Sequence, residues 1–368
     1  MTAALAALAA PAAPADVDGD PTGAVAFDTG LPPELQAHEP PESRGSSRAD
    51  VRLMVSRTTA REVSHHAFAE LPDLLLPGDL LVVNNSATLP AAVPVAVPPP
   101  ALAACGPFTV HFSTSLPDGQ WLVELRSGRG HGTIPFSGGA AGLTVELAGG
   151  AVLTLTGRFS KRLWRARLSA AVVPYLLRHG QPIRYSYVPR AWPIEAYQTV
   201  FATFPGSAEM PSAARPFTPE IVTSLVSRGV IIAPITLHTG VSSLEGDEDP
   251  YPESYDVPPA TARLVSLTRK TGGRVIAAGT TVVRALESAA LPAARGGAAA
   301  GWTSHVVTRQ SGLRVVDGLL TGLHEPRSTH LWMLSAFTDD DLLRRCYQEA
   351  ADRGYRWHEF GDVHLLLP

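Results

Sequence analysis

The spacing of apolar residues changes along this 368-residue chain, and that change most constrains its fold. From about residue 90 to residue 189, short segments of alternating apolar and polar residues are separated by Gly, Pro and Asp turns. Regular spacing of this kind is typical of a small β-barrel or sandwich. After residue 219, apolar strand-like runs alternate with amphipathic helical segments, which predicts an α/β sheet with parallel or mixed strands.

These patterns predict an α/β fold of two domains. Residues 23–88 and 190–368 are assigned to the main domain, a mixed sheet with flanking helices, and residues 89–189 to an inserted small β-barrel domain. Residues 1–22 are rich in Ala and Pro and are expected to form a disordered extension. A secretory signal is not indicated, because no Lys or Arg precedes Arg44.

The composition excludes several classes of protein. Hydrophobic residues make up 45% of the chain and charged residues 17%, as in an ordinary globular protein, and no apolar run is long enough to cross a bilayer. The two cysteines, Cys105 and Cys346, provide neither a disulfide framework nor metal-ligand spacing. We therefore predict a cytoplasmic protein with no metal and no membrane contact, either monomeric or weakly oligomeric.

Positive charge is concentrated between Arg126 and Arg190. This segment holds ten basic residues and one acid, Glu146, although the whole chain has a formal net charge of −4. A basic segment in an otherwise acidic protein favours binding of a polyanion with a phosphate backbone, such as a nucleic acid. A solvated arginine-rich face would have the same composition and stays open as the alternative.

The strongest local motif is a hydrophobic strand that leads into Gly279, Thr280 and Thr281 and then into a helix. Such a junction places free backbone N–H groups and hydroxyls at the carboxyl edge of a sheet, where α/β proteins bind ligands. Arg284 and Glu287 follow on the same helix and can share one of its faces. The structural alternative is a threonine N-cap followed by a surface Arg–Glu pair.

A second polar cluster lies in the loop before an apolar helix. His324 could titrate near neutrality as a general acid or base, and Arg327 could bind a carboxylate. Ser328 or Thr329 could instead cap the helix. A metal site is not indicated, because His324 and His330 are separated by a loop–helix junction and lack Cys or carboxylate partners at standard spacing.

The order of these motifs resembles the S-adenosylmethionine:tRNA ribosyltransferase-isomerase family of queuosine biosynthesis. GTTVVRALESAA and DGLLTGLHEPRST are similar to signatures of that family, as are PGDLLVVNN, ITLHTG and the closing GDVHLLLP. The similarity runs in order from about Phe27 to Leu367, and the all-β region is the least alike. The chain is identified as a divergent member.

The resemblance implies a mixed α/β body with an inserted β-barrel, and an unusual reaction. In that family S-adenosylmethionine is a co-substrate that donates its ribosyl group. The group is transferred and isomerised onto the aminomethyl group of a 7-deazaguanine base in tRNA, giving epoxyqueuosine and releasing adenine and methionine. Such chemistry needs a base beside the sulfonium, an acid for adenine departure and anchors for the charged methionine groups.

The resemblance also implies roles for individual residues. His324, Glu287 and Arg284 are expected to be catalytic residues. Arg284 would pair with a carboxylate or phosphate, and Glu287 with an ammonium, the sulfonium or a ribose hydroxyl. Substrate-binding positions are expected at the other motif residues, which are Asn84, His238, Gly279, Thr280, Thr281, Arg327, Ser328 and Thr329.

The chain departs from the family pattern at three places. Asn85, Ala87 and Ala92 stand where the family has a carboxylate and two guanidiniums. Pro216 replaces a histidine, and Tyr251-Pro252 replaces the His-Ser that precedes a glutamate. Proline has neither a donor nor a titratable group, so these losses favour a changed substrate.

Three hypotheses follow. The chain is the tRNA-modifying enzyme, or a paralogue that binds S-adenosylmethionine or a related nucleoside with another acceptor, or a non-catalytic nucleic-acid or nucleoside binding module. The retained polar motifs favour an enzyme, and the basic segment favours a polyanionic partner. Each enzymatic hypothesis requires the helix that begins at Thr280 and the His324 loop to meet at one sheet edge.

Overall fold

The computed structural model describes residues 32–97, 107–129, 132–241, 251–291, 299–324 and 329–368, and the predicted extension of residues 1–22 lies outside these ranges. The described strands are β1 (Arg52–Arg57), β2 (Glu62–Ala67), β3 (Leu80–Asn84), β4 (Ser86–Thr88), β5 (Ala92–Val97), β6 (Phe108–Ser115), β7 (Trp121–Arg129), β8 (Gly132–Pro135), β9 (Thr144–Leu147), β10 (Val152–Arg158), β11 (Leu163–Leu168), β12 (Phe204–Ser207), β13 (Ile231–His238), β14 (Glu253–Asp256), β15 (Val275–Ala278), β16 (Ala300–Thr303), β17 (Gly318–Gly322) and β18 (Val363–Leu367). The described helices are α1 (Leu71–Leu74), α2 (Val172–His179), α3 (Pro219–Ser227), α4 (Pro259–Lys270), α5 (Thr280–Ala289), α6 (Thr329–Leu334) and α7 (Asp340–Asp352).

A nine-stranded mixed sheet forms the main body, in the order β16-β14-β13-β3-β15-β17-β18-β1-β2. Its four central strands, β13, β3, β15 and β17, run parallel to one another. The carboxyl ends of these four strands therefore share one edge of the sheet. Antiparallel pairs close both sides, with β14 on β13 and β18 on β17.

Both faces of the central sheet are covered. Along β3, Leu80 and Val82 belong to one hydrophobic core, and Leu81 and Val83 belong to another. The first core contains buried residues of α4, α5 and α7, and the second contains residues of α1 and α3. Burial on both faces explains why β3 is a continuous apolar run rather than an alternating one.

The region of short alternating segments is a closed β-barrel. Strands β11, β10, β9, β5, β6 and β7 pair in that order, and the barrel closes because β11 also pairs with β7. Strand β8 pairs antiparallel with the second half of β7. Its core includes Phe112, Leu153 and Trp164, and α2 adds Tyr175 and Leu176. The predicted fold class, a mixed sheet with flanking helices interrupted by an inserted barrel, is confirmed.

Two of the ten basic residues of the Arg126–Arg190 segment are not on the surface. Arg126 and Arg162 are buried, and both lie within ion-pair distance of the buried Glu124 carboxylate, at 2.9 and 3.1 Å. Because these two guanidiniums are held by an internal carboxylate, they are unavailable to a polyanion. The sequence count therefore overstated the surface charge of this segment. Of the nine basic side chains in this segment whose exposure the structure describes, five are exposed, namely Arg158, Lys161, Arg167, Arg178 and Arg190.

Some local details are not evident from the sequence pattern. Residues Leu71–Leu74 before β3 form the short helix α1, and α6 ends at Leu334. The edge strand β2 was not predicted, because its side chains are exposed or only partly buried and its sequence therefore lacks a run of apolar residues. In the part of the chain that the structure describes, no helix has the length and apolar composition needed to cross a bilayer.

Buried histidines make the fold sensitive to acid. Burial lowers the pKa of His111 and His364 to about 3 and that of His324 and His358 to about 4. Below the ordinary value of 6.5 the unfolded chain binds more protons than the folded chain, so the free energy of unfolding falls as pH falls. Each such group contributes at most about 1.4 kcal/mol per pH unit until its folded pKa is reached.

We expect the melting temperature to be lower at about pH 5 than at about pH 7, as measured by circular dichroism. The variant His364→Gln isolates one of these groups, because His364 is fully buried and its Nε2 contacts Ser56 Oγ at 2.8 Å. The gap in unfolding free energy between this variant and the wild type should narrow with acidification by up to about 2 kcal/mol from pH 6.5 to 5. A gap independent of pH contradicts the assignment.

Candidate active site

A cavity of about 360 Å³ lies at the carboxyl edge of the parallel strands, between the main body and the barrel. The first polar motif contributes residues of α5, beginning with its first turn. The second motif contributes the end of β17 and His324. The barrel contributes residues of β6 and β7 to the opposite wall. The lining residues from these elements are Gly279, Thr280, Thr281, Arg284, Thr321, Gly322, His324, Ser113, Thr114 and Leu122.

Strand pairing brings the two motifs together. β15 and β17 are parallel neighbours, Ala278 is opposite Leu320, and the Gly279 N–H donates to the Leu320 carbonyl at 2.8 Å. Gly279 has φ of 105°, a backbone conformation that side chains with a Cβ rarely adopt. This glycine allows β15 to turn directly into α5, which leaves the N–H groups of the first helical turn at the cavity.

The threonines do not cap this helix. The N-cap residue of α5 is Gly279, and no side-chain capping hydrogen bond is formed there. Thr280 and Thr281 are half-buried lining residues, and Thr281 Oγ1 accepts a hydrogen bond from Asn84 at 3.2 Å. The alternative interpretation of a threonine N-cap is therefore wrong.

Arg284 is already paired inside the protein. Its Nη1 donates to Glu253 Oε2 at 2.5 Å, and its other N–H groups donate to the carbonyls of His305, Tyr251 and Thr303. The side chain is only 7% exposed, although it lines the cavity. Glu253 holds this guanidinium, so a ligand carboxylate or phosphate would have to compete with it, and the predicted pairing of Arg284 with such a group stays a prediction.

Glu253 was missed as a site residue. It lines the cavity, and its Oε1 accepts the Gly240 N–H at 3.2 Å. Burial raises the pKa of Glu253, and the adjacent Arg284 guanidinium opposes that rise. The sequence did contain a signal for it. The family has His-Ser-Glu at this place, and Glu253 keeps the glutamate although Tyr251 and Pro252 replace the His and Ser.

Glu287 lies away from the cavity. It is fully buried, and its carboxylate accepts the backbone N–H groups of Arg314, Val315 and Val316 at 2.8, 3.0 and 3.1 Å. Its acceptor oxygens bind this turn, so the structure offers no support for the predicted contact with an ammonium, a sulfonium or a ribose hydroxyl, which stays a prediction. Glu287 instead fixes the segment that leads into β17.

Asn84 and His238 support the cavity from behind. Asn84 is fully buried, its Nδ2 donates to the Leu237 carbonyl at 2.9 Å, and its Oδ1 accepts the Leu237 N–H at 3.1 Å. Together with its bond to Thr281, this ties β3, β13 and α5 at one point. The His238 Nδ1 contacts Ser86 Oγ at 2.8 Å. Neither side chain is among the described residues that line the cavity, so direct substrate contact is not supported for these two.

His324 and His330 form a pair of neutral rings that are tilted by 49° to each other. Their centroids are 4.2 Å apart, both line the cavity, and His330 Nε2 contacts Thr321 Oγ1 at 3.1 Å. Burial lowers the pKa of His324 to about 4, so this ring is neutral at pH 7 and accepts protons. Titration near neutrality is contradicted, because burial disfavours the imidazolium.

The remaining predicted positions are only partly within the described ranges. Arg327 and Ser328 lie outside them, and Thr329 is the first residue of α6. In the described ranges no group of three or more His, Cys, Asp or Glu side chains could hold a metal ion. The departures at Tyr251 and Pro252 do lie in the cavity wall.

Comparison with known proteins identifies the family of this chain. A family model described as a queuosine biosynthesis protein matches residues 24–366. An S-adenosylmethionine:tRNA ribosyltransferase-isomerase of Chlorobium luteolum is 36% identical over 355 residues, which cover 93% of this chain and 98% of the relative. The protein of the same name from Heliobacterium modesticaldum is 33% identical over 362 residues, with the same two coverages.

A solved structure has the same overall fold. The crystal structure of an S-adenosylmethionine tRNA ribosyltransferase from Thermotoga maritima matches with a TM-score of 0.52 and 28% identity. The match covers 93% of this chain and all of that one. From the family match over nearly the whole chain and these relatives, the chain belongs to the S-adenosylmethionine:tRNA ribosyltransferase-isomerase family of queuosine biosynthesis proteins.

Proposed function

We propose that this protein transfers and isomerises the ribosyl group of S-adenosylmethionine onto a 7-aminomethyl-7-deazaguanine base in tRNA. The products are epoxyqueuosine in tRNA, adenine and methionine. The observation that carries the proposal is the meeting of the α5 start and His324 in one cavity at the carboxyl edge of the sheet. Its volume of about 360 Å³ is in the range of small-molecule sites.

The residues of the cavity suit this chemistry. The first turn of α5 and the Thr280 and Thr281 hydroxyls supply hydrogen-bond groups for ribose or a carboxylate. His324, which is neutral at pH 7, can accept a proton from the carbon beside the sulfonium. The Arg284–Glu253 pair carries no net charge, so it shapes the wall without repelling a cationic sulfur.

The tRNA partner is proposed to contact the exposed basic residues of the barrel region. Arg158, Lys161, Arg167, Arg178 and Arg190 are exposed and would neutralise phosphates. A contact of this kind weakens steeply with salt. We further propose that the protein acts in the cytoplasm as a monomer or weak oligomer, with S-adenosylmethionine as co-substrate and no metal.

A second candidate is a paralogue that uses S-adenosylmethionine with a different acceptor. The observation in its favour is that Tyr251 and Pro252, which replace the family's His and Ser, line the same cavity. Two wall positions thus differ chemically from the family pattern, so a changed acceptor is possible without loss of the nucleoside site.

The proposal predicts that His324→Ala lowers adenine release from S-adenosylmethionine, measured with precursor-bearing tRNA. The expected loss is about 10²- to 10⁴-fold, because a positioned proton acceptor contributes that much. The control is His66→Ala, since His66 lies on the edge strand β2 and contacts Ser64. Unchanged adenine release in the His324 variant would remove this residue from the mechanism.

Calorimetry separates the candidates. The wild type is titrated with S-adenosylmethionine, then with unmodified and precursor-bearing tRNA at about 50 and 200 mM salt. Binding of S-adenosylmethionine together with salt-sensitive tRNA binding supports the tRNA-modifying enzyme. Nucleoside binding without tRNA binding selects the paralogue, and tRNA binding without nucleoside binding selects a non-catalytic module.

A further inference from the structure

The cavity has a second polar wall that neither motif contains. Tyr187, Glu209, His358 and Glu359 all line it. Tyr187 lies between α2 and β12, Glu209 follows β12, and His358 and Glu359 lie in the turn before β18. These residues are distant along the sequence, and the interpretation of the motifs assigned none of them a role.

Aromatic stacking holds this wall in place. The ring centroids of Tyr187 and His358 are 4.2 Å apart with an interplanar angle of 14°, and Tyr185 also stacks with Tyr187, at a centroid distance of 5.7 Å. Tyr187 also hydrogen-bonds to the Glu359 carboxylate. His358 has φ of 74°, which is uncommon for a residue with a Cβ. Backbone strain of this kind is often found where a side chain must be held in a particular direction.

Two buried polar atoms on this wall lack partners. Among the described residues, neither His358 Nε2 nor Glu359 Oε1 has a hydrogen-bond partner. The His358 side chain is buried, with 9% exposure. Buried polar atoms are nearly always hydrogen-bonded, so an adjacent unpaired pair at a cavity indicates a ligand that supplies the missing donors.

The charge of this wall indicates which kind of hydrogen-bond donor the ligand supplies. Burial lowers the pKa of His358 to about 4, so the ring is neutral at pH 7, and with Nδ1 protonated its Nε2 is an acceptor. Glu359 offers a carboxylate oxygen, and Glu209 adds nearby negative charge. Two acceptors beside a negative potential suit a group that has several N–H donors and a positive charge.

We propose that Glu359 Oε1 and His358 Nε2, held by Tyr187, form a subsite for a primary ammonium group. This proposal rests on the proposed function, in which two reactants have such a group. One is the α-amino group of S-adenosylmethionine, and the other is the aminomethyl group of the acceptor base. The shared chemistry is an alkylammonium ion that donates to both acceptors.

The subsite couples binding to proton release. Burial, together with the Glu209 carboxylate, raises the pKa of Glu359 to about 8, so Glu359 is largely protonated at pH 7. An ammonium favours the ionised carboxylate, so binding of the protonated amine at pH 7 releases a proton from Glu359. The groups that face Glu359 are Tyr187, Tyr197, Glu209, Arg215 and His358. Arg215 is itself paired with Glu42 at 2.9 Å.

The test is calorimetric titration of wild type and Glu359→Gln with two pairs of probes. S-adenosylmethionine is compared with 5′-methylthioadenosine, which lacks the ammonium, and 7-aminomethyl-7-deazaguanine with its 7-cyano analogue. Glu359→Gln should weaken one amine probe about 10- to 100-fold and leave its amine-free partner unchanged. The affected pair identifies the source of the ammonium. Equal losses for amine and amine-free probes, or no loss for either amine, overturn the proposal.

Proton counting gives a second readout. Titrations of the amine probe in two buffers of different ionisation enthalpy should show proton release at pH 7 in the wild type and none in Glu359→Gln. The matched control is Glu62→Gln, an exposed acid on β2, which should bind all probes as the wild type does. Proton release that persists in Glu359→Gln contradicts the role of Glu359.

A second variant keeps the test valid if Glu359→Gln fails to fold. His358→Asn removes the Nε2 acceptor but keeps a residue type that tolerates positive φ. It should weaken the same amine probe selectively, and loss of selectivity counts against the subsite. If the wild type binds the amine probes selectively but releases no adenine, the proposed function is refuted and the subsite stands. If the wild type releases adenine but Glu359→Gln weakens amine and amine-free probes equally, the subsite is refuted and the proposed function stands.

Discussion

Arg284→Ala lowers the free energy of unfolding by about 3 to 5 kcal/mol, because it leaves the Glu253 carboxylate buried without its counter-ion. Arg284 is 7% exposed and its Nη1 lies 2.5 Å from Glu253 Oε2. The guanidinium also donates to three backbone carbonyls, so its removal loosens the wall formed by β14 and β16. Urea denaturation followed by circular dichroism measures the change.

A double variant tests whether the unpaired Glu253 carboxylate causes this loss of stability. In Arg284→Ala with Glu253→Gln, the uncompensated charge is gone, so part of the lost stability should return. Adenine release should remain low in both variants, because the cavity wall is altered in each. A loss below about 1 kcal/mol in Arg284→Ala would show that the pair behaves as an exposed ion pair and would contradict its burial.

Glu287→Ala is expected to cost about 3 to 5 kcal/mol of unfolding free energy. The three N–H groups of Arg314, Val315 and Val316 would lose their acceptor, and each buried unsatisfied group costs about 1 to 3 kcal/mol, part of which water recovers. The affected turn leads into β17 and thereby supports Thr321 and His324. Thermal or urea denaturation measures the loss.

The isosteric variant Glu287→Gln separates structure from chemistry. It keeps one acceptor oxygen, so its loss of stability should be smaller, at about 1 to 2 kcal/mol. Affinity for S-adenosylmethionine should be unchanged under conditions where the variant is folded. A variant of normal stability that no longer binds S-adenosylmethionine would restore the direct ligand role that the resemblance implied.

Two of the residues that depart from the family pattern line the cavity. Tyr251 and Pro252 lie on the wall next to Glu253 and Arg284, whereas Glu209, His358 and Glu359 provide titratable groups on a second wall. The site therefore retains acid–base capacity although the family's histidine is replaced by Pro216. These titratable groups of the cavity wall are not part of the recognised motifs.

Apolar periodicity alone determined the architecture. The alternating segments of the barrel and the buried run of β3 follow from which faces of a strand are covered, and this information is local to each segment. The meeting of Gly279 and His324 was also predictable, because strands that precede ligand loops in a parallel sheet end at a common edge.

Only the tertiary structure decided which polar side chains face that edge. Glu287 binds a backbone turn, Arg284 binds Glu253, and Arg126 and Arg162 bind Glu124, although their spacing equally suited ligands. A buried charge takes the nearest opposite charge or free N–H group in space, and that partner is usually distant along the chain. For the same reason Tyr187, His358 and Glu359 form one wall that no local pattern indicates.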